Sequence, residues 1–305
     1  MRTLKNRRCL FVERPQGEVT ERQFQLETVP VPELQEGQVL VRHEFLSVDP
    51  YMRGRMDDVA SYAPPQALGQ VMVGRTVGTV LESRQEGFRS GDTVAGLGGW
   101  QEYSISDGSD LRQIDVSRVP ASAWLGVIGT PGLAAWIGVR QFLRPVPGET
   151  VVISAAAGAA GSVAGQLARL AGCRVIGIAG GPQNCQLVQH EYGFDACIDY
   201  KAEDVGKALV ELAPDGIDCL FENVGGSILD AALVNMAAFS RIALCGLIAG
   251  YSGQPIPMHN GVSSSRTTWI SGRPLLPSWR DSSRTGRSGT GKRSRKESRT
   301  RPPPS

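Results

Sequence analysis

Histidine is scarce in this chain. The 305 residues contain three, His43, His190 and His259, and none has the H-x-x-x-H spacing or the cysteine partner of a metal site. Each reads as a surface or locally bonded histidine. The six cysteines stand singly, no two within four residues of each other. That spacing argues against a thiolate zinc clip and a disulfide framework, and it suits a reducing cytoplasm. No apolar run reaches the roughly 18 residues that a membrane span requires. The basic start is followed by Cys9-Leu10-Phe11-Val12 and at once by Glu13-Arg14, too short for the hydrophobic region of an export signal. No membrane partner is expected. Net charge is lacking as well, at +2, although it is unevenly spread.

What is present is a length that suggests two domains, with 41% hydrophobic and 20% charged residues, as in ordinary globular proteins. The chain is organised around residues 150–168. There the β-branched run Thr150-Val151-Val152-Ile153-Ser154 passes through a turn of small residues into a helical pattern, which reads as the opening of a dinucleotide fold. Set against G-x-G-x-x-G, the first glycine place holds Ala156 and the other two hold Gly158 and Gly161. Glycine at 158 permits a diphosphate to approach the backbone, and glycine at 161 lets the helix lie close on the strand. Tight packing alone is the alternative explanation of so many small residues.

Further short apolar runs at 174–178, 196–198, 217–221 and 242–246 read as strands. Helical spacing near 183–192, 203–212 and 227–238 separates them. Strand and helix alternating in this way predict a parallel sheet with helices on both faces and a ligand at the strand ends where the order reverses. Residues 8–118 read as mostly β, with strands at 39–48, 74–81 and 91–95, and suggest a compact barrel-like domain. Between 120 and 142 the pattern shows helix starts interrupted at Gly129-Thr130-Pro131-Gly132. At the end of the second nucleotide-fold strand, Ala179-Gly180-Gly181-Pro182-Gln183-Asn184 carries no carboxylate to repel a ribose phosphate, so NADP is permitted.

Four ordered motifs carry a resemblance: Ser47-Val48-Asp49-Pro50-Tyr51-Met52-Arg53, Gly129-Thr130-Pro131-Gly132-Leu133-Ala134-Ala135-Trp136, the turn from Ala155 to Ser162, and Glu222-Asn223-Val224-Gly225-Gly226. Together they resemble the zinc-independent medium-chain reductases, in the leukotriene B4 dehydrogenase, prostaglandin reductase and curcumin reductase group, over about residues 8–258. The resemblance implies a GroES-like β-barrel domain at 1–120 and a Rossmann domain at 121–262. It implies NADPH-dependent reduction of the carbon–carbon double bond of an enone or enal, with hydride reaching the β-carbon without a metal. At Leu68-Gly69-Gln70-Val71-Met72-Val73-Gly74, where zinc-dependent relatives place their first histidine, there is none. The implied cofactor contacts are Ala156, Gly158, Ala159, Ala160, Gly161 and Ser162, then Gly180, Asn184, Tyr200 and Asn223, and finally Cys245, Gly246, Leu247, Ile248 and Tyr251. Tyr251 is the first catalytic candidate, to hydrogen-bond the developing enolate oxygen. A loop tyrosine anchoring a turn is its alternative. Tyr51 is the second candidate, lining the substrate cleft or packing at the barrel edge. Where the group has a phosphate-binding lysine this chain has Asn184, which implies NADPH with weakened preference over NADH. A quinone reductase of the same superfamily would share these features, as would an inactive cofactor-binding protein.

The likeness fades near His259. Residues 281–305 hold eight Lys or Arg against two acids and end Pro302-Pro303-Pro304-Ser305. Such sequence buries too little apolar surface to offset the entropy of ordering. Disorder is therefore expected over 263–305, and a frameshifted terminus is the simplest reading. It would leave a sheet edge uncovered and activity in doubt. Without it, a homodimer is expected. No aromatics interleave with the charge, so a nucleic-acid arm is the weaker reading.

Overall fold

The computed structural model describes residues 4–59, 63–253 and 266–269. Residues Met1–Ser271 form one compact unit, and the second, Gly272–Ser305, lies outside the described residues. The centre of the nucleotide part is strand β9 (Thr150–Ser154). Alternation along a strand sends its side chains to opposite faces, and β9 is apolar on both. Val151 and Ile153 enter one core, with Ala164, Ala168 and Phe194. Val152 enters the other, with Ile176, Ile178 and Leu209. A strand covered on both sides reads as a continuous β-branched run, and this is why it does.

Strands β10 (Arg174–Ala179), β11 (Ala196–Asp199), β12 (Ile217–Glu222), β13 (Met236–Leu244) and β14 (Arg266–Trp269) join β9 in a parallel sheet of order β11-β10-β9-β12-β13-β14. The order reverses at β9, which pairs with β10 on one side and β12 on the other. This is the doubly wound arrangement that places a crevice at the strand C-termini. The helices are α3 (Ala159–Leu170), α4 (Pro182–Gln186), α5 (Val205–Leu212) and α6 (Gly226–Val234), in chain order after the short α1 (Tyr51–Met56) and α2 (Thr130–Ile137). Asp204 caps α5 by accepting a hydrogen bond from Lys207 N at 3.0 Å, which satisfies one of the amides a helix start leaves open.

The N-terminal part is β-rich, as its sequence indicates. Strands β3 (Val39–Leu46), β5 (Thr76–Ser83), β6 (Thr93–Gly96), β7 (Tyr103–Ser106) and β8 (Arg112–Gln113) form an antiparallel sheet of order β7-β3-β5-β6-β8. Strands β1 (Lys5–Phe11), β2 (Phe24–Pro30) and β4 (Gln70–Val71) form a second, and a bridge from Arg8 to Gln101 links the region after β6 to it. In chain order these eight strands precede β9.

Three expectations change. Residues 236–238, read as the end of a helix, open strand β13. Its Met236-Ala237-Ala238 is compatible with a helix, and pairing with β12 decides otherwise, through a bulge between Ile217 and Cys219. Gly129-Thr130-Pro131-Gly132 does not interrupt a helix but starts one, with Gly129 as N-cap and Pro131 in the first turn, where a missing N–H costs nothing. The segment expected to be disordered from 263 contains β14, whose Arg266 to Trp269 pair with Arg241 to Leu244. β-branched threonines and a tryptophan suit a strand, and they satisfy the β13 edge that the composition reading left bare. The remaining residues of that segment lie outside the described residues.

Candidate functional site

The turn after β9 is built on an unusual backbone. Ala155 has φ +48, a left-handed conformation that costs a non-glycine residue about 1 kcal/mol or more. Ala156 N then donates to Ile178 O at 3.0 Å and Gly158 N to Ala155 O at 2.9 Å, which folds the turn back onto the sheet. A Cβ on Gly161 would lie 2.3 Å from Ala155 O. Only glycine allows α3 to come this close. Gly158 is the N-cap of α3 with no side-chain cap, and no acidic residue occupies the first turn. The first bond of the helix runs from Ser162 N to Gly158 O at 2.9 Å, so the amides of Ala159, Ala160 and Gly161 precede it and are available to an anion.

The ends of β10 and β11 make the next wall. A Cβ on Gly180 would meet the Tyr200 ring at 2.8 Å, so this glycine lets the tyrosine lie on the backbone. Asn184 Nδ2 donates to Gly180 O at 2.8 Å. Gly181, at φ +91, donates its N–H to Asp199 Oδ1 at 2.7 Å, and Lys201 N donates to the same oxygen at 3.0 Å. A carboxylate therefore does stand against the β10 turn, contributed by the neighbouring strand. The residues of β10 and its turn carry no sign of it, because Asp199 is brought there by the pairing of β11 with β10.

The third wall comes from β12 and β13. Asn223 N donates to Ser154 Oγ and Asn223 Nδ2 to Ser154 O, both at 2.7 Å, tying β12 to the end of β9. Ile248 N donates to Asn223 O at 3.2 Å and Ala249 N to Val224 O at 2.9 Å, tying in the turn after β13. Gly246 lies beside Asn223 O, and the Tyr251 hydroxyl is 3.7 Å from the place a Gly246 Cβ would take. Burial, and then the nearby Glu222 carboxyl, push the Cys245 thiol up to about 11, so it stays protonated and is not a nucleophile at neutral pH.

These walls enclose a cavity of about 690 Å³, within the range of small-molecule sites. Of the residues singled out by sequence, Gly158, Gly180, Asn184, Tyr200 and Ile248 line it. Ala159, Ala160, Gly161 and Ser162 form the helix turn that follows Gly158. Ala156 is fully buried in the core beneath the turn and does not line the cavity. Asn223, Cys245, Gly246, Leu247 and Tyr251 also lie off its lining, in the turns that carry Val224, Gly225 and Ala249 to it. Tyr51, the second catalytic candidate, opens α1 and packs against Phe11, Met52, Met56 and Met72, the packing alternative drawn from its sequence. Sequence reasoning missed Ala155, Ala157, Ala179, Val205, Val224, Ser227 and Ile228 as lining residues. Small residues in a turn carry little signal of their own. Among the described residues no three His, Cys, Asp or Glu side chains gather as metal ligands.

Two family models match, one described as the N-terminal domain of oxidoreductase, over residues 7–114, and one as zinc-binding dehydrogenase, over residues 159–281. The second match runs past His259, where the motif likeness fades. The chain is 44% identical over 253 residues to the NADPH-dependent curcumin reductase of Escherichia coli K12, covering 83% of this chain and 73% of that protein. It is 45% identical over 217 residues to the NADP-dependent 2-alkenal reductase of Nicotiana tabacum, covering 70% and 63%. The crystal structure of CurA from Vibrio vulnificus in complex with NADPH superposes with a TM-score of 0.81 at 40% identity, covering 87% of this chain and 81% of that one. With this cavity at the switch point of a doubly wound sheet and relatives at this identity, the chain belongs to the medium-chain dehydrogenase/reductases, in the zinc-independent group of the curcumin and prostaglandin reductases.

Proposed function

We propose that the chain is an NADPH-dependent oxidoreductase that reduces the carbon–carbon double bond of α,β-unsaturated ketones or aldehydes. The observation that carries this reading is the cavity at the C-terminal ends of β9, β10 and β12, floored by Gly158 and an uncapped helix start. The fit to a dinucleotide is specific to these residues. A Cβ at Gly161 would drive α3 off the strand, and Gly158 has only Ala155 O within 4 Å of its own Cβ position, so the diphosphate side is open to backbone approach. Relatives named for NADPH and for 2-alkenals support the cofactor and the substrate class.

When bound, NADPH supplies the hydride. The residues of the chain do the rest. The amides of Ala159, Ala160 and Gly161 hold the diphosphate, aided by the positive end of α3. Tyr200 and Asn184 border the ribose phosphate, and Ile248 and Ala249 border the nicotinamide side. The Tyr251 hydroxyl donates a hydrogen bond to the substrate carbonyl oxygen, where negative charge develops, and the enolate left by hydride addition takes its α-carbon proton from Tyr251 or from water. Residues 121–262 serve as the nucleotide part and residues 1–120 shape the substrate side. Purified protein titrated with NADPH should quench or shift nicotinamide fluorescence. It should then oxidise NADPH with an enal faster than with a quinone. Binding without turnover of either acceptor would overturn the enzymatic half of the reading, and a quinone preference would overturn the substrate half.

A further inference from the structure

Glu222, at the end of β12, is fully buried, and among the described residues no cation pairs with it. Burying an ionisable carboxyl in this way is costly unless its hydrogen bonds compensate. Glu222 Oε1 accepts from Val224 N and from Gly225 N, each at 2.6 Å. Its main-chain carbonyl accepts from Cys245 N at 2.8 Å and Gly246 N at 3.1 Å. Oε2 has no hydrogen-bond partner among the described residues. One residue therefore grips both the turn after β12 and the turn after β13. Those turns deliver Val224, Gly225, Ile248 and Ala249 to the cavity. The first needs an external grip, because Gly225 and Gly226 sit at φ +79 and φ +57, and paired glycines select no conformation by themselves.

We propose that Glu222 is a positioning residue, which sets the wall a dinucleotide rests against by holding the Val224 and Gly225 amides, without touching the dinucleotide. This inference rests on the NADPH reading above. Burial raises the Glu222 carboxyl above the usual carboxylate range, against the pull of the Gly225 and Val224 amides and the Ser154 hydroxyl.

Two variants separate reach from charge. Glu222→Gln keeps an oxygen acceptor at the same reach, and Glu222→Asp keeps the acid but draws it back by about 1.5 Å. NADPH dissociation constants would be measured on the full chain by fluorescence titration, with urea denaturation alongside. Glu222→Gln should bind within about threefold of wild type, and Glu222→Asp should bind about tenfold more weakly or worse. A purely structural role would move the urea midpoint and leave the dissociation constant of the folded protein unchanged. Glu222→Asp binding as tightly as wild type overturns the proposal, as does Glu222→Gln binding as weakly as Glu222→Asp. Should Glu222→Asp not fold, hydrogen exchange on the ligand-free wild type decides. Slow exchange at the Val224 and Gly225 amides supports the grip, and exchange at the rate of open loops overturns it. A wild type that binds no NADPH fails the reading beneath, while the exchange data still report on the grip itself.

Discussion

The two glycines of the β9–α3 turn should fail in different ways. At Gly161 an added Cβ would lie 2.3 Å from Ala155 O and 3.1 Å from Ala156 Cα, and the obstructing atoms are main chain. Restoring ordinary contact moves α3 by about 1 Å away from β9, and the buried Ala164 and Ala168 move with it, out of a core shared with Val151 and Ile153. Overpacking of this kind costs about 1–3 kcal/mol. A 2.3 Å approach to a main-chain oxygen puts the cost in the upper part of that range, about 2–3 kcal/mol, and alanine recovers about 1 kcal/mol of helix propensity, so Gly161→Ala should lose about 1–2 kcal/mol net. At Gly158 the backbone lies at φ −77 and ψ 169, which alanine adopts freely, and its Cβ would stand 3.1 Å from Ala155 O with nothing else within 4 Å. Gly158→Ala should therefore change stability by less than about 0.5 kcal/mol. Its methyl stands instead where a diphosphate must approach, and NADPH should bind about tenfold more weakly or worse. Urea denaturation followed by circular dichroism, with NADPH titration of each variant, measures both. If Gly161→Ala is as stable as wild type, close helix packing does not explain that glycine. If Gly158→Ala binds NADPH normally, the backbone approach is wrong.

His43 should make stability fall on the acid side. Burial, opposed by Asp110, lowers its imidazole to about 4, so between pH 6.5 and 4 the unfolded chain takes up a proton that the folded chain refuses. Stability should drop across that window by up to about 3 kcal/mol, and His43→Gln should flatten the slope in pH-dependent urea denaturation. Asn184→Lys should raise NADPH affinity several-fold over NADH, because Asn184 lines the cavity and the substitution places a cation there. Titration with both nucleotides checks it, and an unchanged ratio would show that position 184 does not face the phosphate. Tyr251→Phe should lower kcat on an enal by about 10- to 100-fold, with NADPH binding unchanged; steady-state kinetics with a parallel NADPH titration would detect a purely structural tyrosine as a change in binding or stability instead.

Much of the sheet was legible because its signal is local. A run such as Thr150 to Ser154, followed by small residues and a helical repeat, carries its own period. Gly158 and Gly161 announce their purpose by lacking a side chain where one is expected. The misreadings arose where local preference and distant pairing disagree. Met236 to Ala238 suits a helix, and the hydrogen bonds offered by β12 make it a strand. Arg266 to Trp269 sits in a polar stretch, and the open edge of β13 gives it a partner. Ala155 takes a conformation that its identity argues against, imposed by a turn closed through Ala156 N and Ile178 O. Glu222 stood inside a recognised motif without a role, because its worth depends on amides that only the fold brings within 2.6 Å.

By itself, then, the sequence determined the kind of fold, the family, and the strand, turn and helix that open the dinucleotide site, since periodicity and missing side chains act over a few residues. The tertiary structure decided which residues share a wall: Gly158, Asn184, Tyr200, Val224 and Ala249 meet at one cavity although the chain separates them widely. Parallel strands in register bring their C-terminal ends together, and no local preference encodes that meeting. The same register set the carboxylate of Asp199 against Gly181 and buried Glu222 behind the turns it holds.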